Sequence, residues 1–382
     1  MREFAARARA RWREIDPLLP DPFPGPHHGL PEGPRSAPPA SGPGPGCGLT
    51  LVEGPGDGGS AFGTCRHGEP DAGGIDLTWS MARTFELTPR VAGPQAGAAL
   101  DRLISRWRDH LAQVPGSDGD DTAAVVNWPS RDIEGVTALQ RHGLRPLAVV
   151  AARLPAQRPG GGPAPGVVPP AAPGAPPAGS RATGAAGRRG PGPRRRARGA
   201  AGNIVGAAAG VVSAVADSDV RVRRAVPPDA EVIARFGAEV ARFDAHFSGT
   251  PDRPGTLAAL RAEARRLLAP ADGAWTWLAE RDGQPIGMIA AQPPDQAAWI
   301  APVTRLSPVA YAVLGFVRPD ERSAGVGAEL AAALHDAADR AGLAATLLHY
   351  EQLNPYAAPF WSRQGYRPLW TAWEARPARS LR

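Results

Sequence analysis

Tyr311-Ala312-Val313-Leu314-Gly315-Phe316-Val317, then Arg318-Pro319-Asp320-Glu321, then Arg322-Ser323-Ala324-Gly325-Val326-Gly327-Ala328 is the run that decides the fold. The first seven residues are apolar enough for a buried strand. After the glycines, Leu330, Leu334, Ala337, Ala338 and Ala341 recur at helical spacing with charges between them. Gly342 stops that helix, and Ala345 to Tyr350 reads as a second buried strand. The order is strand, glycine loop, helix, strand. A loop that turns straight into a helix leaves backbone N–H groups unpaired at the positive end of the helix dipole. That is an anion site, and phosphate suits it. Gly325 and Gly327 lack a Cβ, so the backbone there can approach a pyrophosphate closely.

The glycine pattern excludes two nucleotide folds. There is no Gly-x-Gly-x-x-Gly, and no Lys-Ser/Thr follows the glycines. What stands here is Arg-x-x-Gly-x-Gly at Arg322, Gly325 and Gly327, with Val317 and Pro319 upstream. Asn354-x-x-Ala357-x-x-Phe360-Trp361-x-Arg363-x-Gly365-Tyr366 follows. From about Val220 onward the chain thereby resembles the GNAT superfamily of acyl-CoA-dependent N-acyltransferases. The resemblance implies an α/β (α+β) fold whose mixed central sheet, flanked by helices, splays between its fourth and fifth strands. It also implies acetyl-CoA as co-substrate. Arg322, Ser323, Ala324, Gly325, Val326, Gly327 and Ala328 would hold the pyrophosphate, a backbone N–H in the neighbourhood of Gly315 to Val317 would polarise the acyl carbonyl, and Asn354 and Trp361 would contact the rest of the cofactor.

Two positions depart from the family pattern. Many relatives carry a Tyr directly after the residue matching Phe360, as general acid; here it is Trp361, whose indole N–H is a very poor acid. Many also carry a Glu on the fourth strand as general base, and Tyr311 to Val317 holds no carboxylate. The nearest titratable groups are His349, Tyr350 and Glu351, at the end of the fifth strand. Strand alternation puts His349 and Glu351 on one face and Tyr350 on the other. Tyr350 is the expected proton donor and Glu351 the expected base; packing and capping are the alternative roles. The acceptor is expected near Phe243-Asp244-Ala245-His246-Phe247 and Asp252, between the first two helices, with Trp299 to Leu306 as another wall.

The chain has 382 residues, enough for two domains, and 43% of them are hydrophobic. All of its 43 basic residues are Arg. The net charge of +6 includes eight Arg between Pro155 and Gly202, where there is no acid; the remainder carries −2. The basic balance therefore belongs to a Pro/Gly/Ala/Arg-rich tether and gives no reason to expect specific nucleic-acid binding. Cys47 and Cys65 read either as free thiols of a cytoplasmic protein or as one disulfide between neighbouring strands. No apolar run reaches the ~18 residues of a membrane helix, so no membrane partner is expected.

The resemblance extends to a second copy. Leu87 to Leu100 aligns without gaps on Val317 to Leu330, with Pro89 on Pro319 and Gly97 on Gly327. Both copies then run Gly-(Leu/Tyr)-Arg-Pro-Leu, at Gly143 to Leu147 and Gly365 to Leu369. In the first copy Ala92 replaces Arg322, Gln95 replaces Gly325 and Asp132 replaces Asn354, and Pro94 removes a backbone donor. The expected organisation is a degenerate GNAT-like domain at 1–154, a flexible linker at 155–219 and an N-acetyltransferase domain at 220–382. Phe4, Ala8, Trp12 and Ile15 predict an amphipathic helix packed on its own domain. Strands are predicted at Cys47 to Glu53, Ala61 to His67 and Gly74 to Glu86, then at Thr122 to Trp128. The tandem layout is similar to that of mycothiol synthase, an analogy of fold alone. The function expected is acetyl transfer to a small-molecule or protein amine, with a non-catalytic acyl-CoA-binding regulator as the alternative. Homodimerisation stays open.

Overall fold

The computed structural model describes residues 2–23, 49–53, 58–155, 219–269 and 275–382. Cys47, the Arg188–Arg198 cluster and nearly all of the expected linker lie outside the described residues. The first half runs α1 (Arg2–Ile15), β1 (Leu49–Glu53), β2 (Ser60–Gly68), β3 (Arg83–Ala92), α2 (Ala96–Leu111), β4 (Thr122–Pro129), α3 (Ile133–Arg141) and β5 (Arg145–Arg153). The second half runs β6 (Val220–Arg224), α4 (Ala230–Ser248), α5 (Thr256–Leu268), β7 (Thr276–Arg281) and β8 (Gln284–Gln292). It continues with β9 (Val309–Val317), α6 (Val326–Arg340), β10 (Ala345–Glu351), α7 (Ala357–Arg363) and β11 (Arg367–Ala375).

All eleven strands form one mixed sheet, in the order β1-β2-β3-β4-β11-β5-β10-β9-β8-β7-β6. Only β3–β4 and β9–β10 pair in parallel. The two halves have exchanged their last strands. β5, from the first half, pairs antiparallel with β10, and β11, from the second, pairs antiparallel with β4. Each exchanged strand fills its host's core. Trp373 and Ala375 of β11 are buried with Trp107, Trp128 and Leu100 of the first half, and Val149 and Ala151 of β5 with Leu330 and Leu334 of α6. The segments expected as separate domains thus contribute to a single sheet.

α1 also bridges the halves. It buries Ala8 and Trp12 as the spacing predicts. Trp12, however, meets Trp370 of β11 edge-on at 5.2 Å, so the helix rests on the second half as well as its own.

The third predicted strand is misplaced. Residues 75–78 form a short 3-10 turn, and β3 starts at Arg83 and runs through Pro89 to Ala92. Pro89 is tolerated because it lies beyond Leu87↔Val126, the last pair with β4, where only β2 flanks the strand. The gap-free alignment of the two copies therefore agrees at the helix starts, Ala96 and Val326, and fails in the strands.

The splay lies where the site requires it. β9 and β10 pair from Val309↔Ala345 to Ala312↔Leu348 and then part. Past that point β9 follows β8 and β10 follows β5. A bulge at Val313 marks the parting, since Ala312 pairs with Ala291 and Leu314 with Ala290. Such a bulge bends the strand and breaks its pairing locally. Backbone N–H groups of residues 313–317 that alternate towards β10 consequently find no strand partner there.

Candidate active site

β9 is followed by eight residues before α6. Pro319–Glu321 form a 3-10 turn, pinned by an Arg281–Glu321 ion pair at 2.7 Å. Ser323 then takes φ +67 and Gly325 φ +88. The left-handed turn at Gly325 lets the chain swing directly into α6. Among the described residues, no side chain caps that helix. Ala328 N–H bonds back to Gly325 O at 2.8 Å, and the Val326 and Gly327 amides stand at the open N-terminus. A Cβ at Gly325 would meet nothing within 4 Å, so open space faces the loop. At Gly327 it would lie 3.2 Å from the Phe360 ring, so the helix start and α7 are in contact. This uncapped, glycine-lined turn beside a splayed strand pair suits a pyrophosphate and an extended acyl-thioester arm.

The structure separates the expected cofactor residues. Val317, Arg322, Ser323, Gly325, Gly327, Ala328, Asn354 and Trp361 line one cavity of about 1700 Å³. Ala324 does not line it, and the Val326 side chain is buried in the core beneath α6, which leaves these two only their backbone to offer. Arg322 donates from Nε to Val317 O at 3.2 Å, and its guanidinium lies 5.4 Å from the ring centres of both Phe243 and Tyr356. It ties the loop to α4 and to the turn before α7. Asn354 is also engaged locally. Its amide oxygen accepts from Tyr356 N–H and Ala357 N–H, and its Nδ2 donates to Asp244 at 3.0 Å. Trp361 packs edge-on against Tyr366 at 5.3 Å and lies against Gly315.

The end of β10 divides as alternation predicts. Tyr350 packs against the core residues under α6, while His349 bonds through Nδ1 to the Tyr311 hydroxyl at 3.0 Å on the other face. Burial holds His349 down to about 4, so the ring is neutral. Burial also raises the Tyr350 phenol. Glu351 is pushed up to about 8, first by burial and then by the neighbouring charges of Asp244 and Glu374; Arg376 and Arg145 oppose that rise. Its Oε2 is buried without a hydrogen-bond partner among the described residues. Asp244 is raised to about 6 by burial, against the bond from Asn354. A buried carboxyl poised near 8 is suited to take a proton from an ammonium brought next to it.

Of the acceptor residues expected in the link between the first two helices, Phe243 to Phe247 lie inside α4 and only Asp252 is in the link; Phe243 and Asp244 line the cavity, and Ala245, His246, Phe247 and Asp252 do not. His246 is exposed and bonds to the carbonyl of Arg242. Of Trp299 to Leu306, only Trp299 lines the cavity; it donates to Gln292 Oε1 at 2.7 Å.

Several lining groups have no counterpart in the sequence reading. Glu374, 1% exposed, accepts from Arg145 at 2.7 Å and Arg376 at 2.8 Å. Its only signal was a lone acid inside the apolar run Leu369-Trp370-Thr371-Ala372-Trp373-Glu374-Ala375. The first half supplies Glu86 and Asn127, bonded at 3.2 Å. It also anchors the α4–α5 connection. Arg253 grips Asp121 through both nitrogens, at 2.7 and 2.9 Å, and reaches the carbonyls of Leu77 and Ser80.

Residues 242–366 match the profile of the Acetyltransferase (GNAT) family. Among solved structures, a GCN5-related N-acetyltransferase from Sphaerobacter thermophilus matches at 13% identity, covering 83% of this chain and 77% of that one, with a TM-score of 0.44. A GNAT-family acetyltransferase from Colwellia psychrerythraea matches at 11% identity, over 82% and 84%, with a TM-score of 0.41. A GCN5-related N-acetyltransferase from Ralstonia eutropha JMP134 matches at 24% identity, over 39% of this chain and 93% of that one, with a TM-score of 0.29. No curated protein matches the chain. Among the described residues, no helix is long and apolar enough to cross a membrane.

Proposed function

We propose that the protein is an N-acetyltransferase that moves an acetyl group from acetyl-CoA directly to an amine. The observation that carries this reading is the open, uncapped start of α6 at the mouth of a splay whose other rim ends in Glu351. The amides of the Arg322–Ala328 loop would hold the pyrophosphate, and Arg322 would stiffen that loop rather than lend it charge. The arm would lie between β9 and β10, with Trp361 as its wall. Free N–H groups of β9 near Gly315 to Val317 would polarise the thioester carbonyl.

The amine attacks that carbonyl, the C–S bond breaks, and the amine proton goes to Glu351. Tyr350, on the opposite face of β10, would protonate the leaving thiolate. Burial weakens a phenol as an acid, but it raises the basicity of a buried thiolate in the same sense, so the transfer stays matched. The first half is proposed to be a degenerate copy that no longer binds cofactor and instead walls and anchors the acceptor side.

The test uses the full chain. Acetyl-CoA should raise Tm, and CoA thiol should be released when amines are added. Binding without release for any amine would leave an acyl-CoA-binding regulator. An unchanged Tm would remove the cofactor site itself.

A further inference from the structure

Two guanidinium groups, Arg145 and Arg376, converge on the single buried carboxylate of Glu374. Within this triad that leaves one positive charge in excess, and Arg376 also acts on Asp121. On the same cavity stand two carboxyl groups, Asp244 and Glu351, the charge of the first near enough to raise the second's hold on its proton. The charge of Arg376 reaches Glu351. The wall thus carries a negative pole next to a positive one.

Three residues that line this cavity each carry a buried polar atom with no hydrogen-bond partner among the described residues: Glu351 Oε2, Arg376 Nη1 and Gln292 Nε2. Gln292 is 1% exposed, and the bond from Trp299 to its Oε1 directs the amide nitrogen away from that contact. Buried donors and acceptors left empty are costly, and a ligand that satisfies them is favoured accordingly.

We propose that the acceptor is an amino acid or a close analogue, a primary amine with a carboxylate a few bonds from its nitrogen. Its ammonium sits on Asp244 and Glu351 and its carboxylate on Arg376. This deepens the acetyltransferase reading and rests on it. A diamine would press its second cation against Arg376, and a neutral amide would leave the guanidinium unmet.

The experiment measures CoA release by the full-length protein with acetyl-CoA and three matched acceptor sets. The sets are the α-amino acids with β-alanine and γ-aminobutyrate, the corresponding amides, and α,ω-diamines. The free acids should exceed their amides by about tenfold or more in kcat/KM. Arg376→Gln should remove that preference through KM, costing the free acids far more than the amides. Because Arg376 also holds Glu374, Arg376→Lys serves as the second variant and should keep the order of preference. Amides or diamines turned over as well as the acids would overturn the proposal and leave the acetyltransferase standing. No turnover of any member, with acetyl-CoA bound, would overturn it too, since the sets contain the class named. Failure of acetyl-CoA to bind would bring down both.

Discussion

The two halves each carry a strand that leads into a helix, and they make the connection differently. β9 reaches α6 through eight residues, Arg318–Gly325, and β3 reaches α2 through three, Gly93-Pro94-Gln95. The longer one leaves an open helix start. The shorter one is packed shut: a Cβ at Gly93 would sit 2.1 Å from the Gly58 carbonyl oxygen, and one at Gly59 would sit 2.5 Å from that of Gln95. Three residues past the last parallel pair, β10 carries Glu351 and β4 carries Pro129. The proposed anion site therefore depends less on a helix dipole, which both halves own, than on the slack in the chain before it.

The largest effect should come at Glu351, the group with no titratable counterpart in the first half. Glu351→Gln should lower kcat by about 10²–10⁴ and leave the acetyl-CoA stabilisation intact; unchanged kcat would break the contrast at its chemical end. In the parent protein kcat/KM should rise with pH towards about 8, as the carboxyl ionises. Stability should move oppositely. The unfolded chain ionises this group from the ordinary carboxylate range upward while the folded one keeps its proton, so stability falls as pH rises through that window up to about 8. Glu351→Gln should flatten that slope, as urea unfolding at a series of pH values would read.

Next come the two glycines. Gly325 holds φ +88 in open space, so Gly325→Val should weaken acetyl-CoA binding by about tenfold or more with a smaller change in Tm. Gly93 holds φ +96 against Gly58, so Gly93→Ala should do the reverse, lowering Tm by about 5 °C or more at unchanged affinity. Calorimetry on both variants would expose the comparison if the effects were alike. A smaller change is expected at the anchor: Asp121→Asn should raise the amine KM about threefold to tenfold and leave the acetyl-CoA KM alone. The smallest effect belongs to repair by sequence alone. The pair Ala92→Arg with Gln95→Gly restores the motif letters but not the missing five residues of slack, so titration should still give one acetyl-CoA per chain.

The second half was legible because its strands, glycine turn and helix each carry their own periodicity. Gly325 ends a strand-to-helix connection whatever surrounds it. β3 was misread because Leu87-Thr88-Pro89 looks like Val317-Arg318-Pro319, and only the absence of a second neighbour allows a proline in that strand. The strand exchange left no trace either. β5 and β11 are both apolar runs, and nothing in an apolar pattern names the edge it will pair with. Tyr350 and Glu351 could be assigned to opposite faces from alternation alone. Glu351 acquires its charge environment from Arg145, Asp244, Glu374 and Arg376, which come together only through the exchanged strands and α4. Arg253, in a Pro-rich connection, reads as a solvated charge until Asp121 is brought beneath it.

The exchanged strands also set a timetable for synthesis. The edge of β4 is covered by β11, whose first residue, Arg367, is translated long after Pro129, the last of β4. At about 5–20 residues per second, a nascent chain carries that edge uncovered for about 10–50 s. During this interval the first half is a sheet that lacks its neighbour, open to strand addition from any chain nearby. The fold closes only when its late residues emerge, so a ribosome that stalls before Arg367 releases a sticky fragment and not a smaller folded protein.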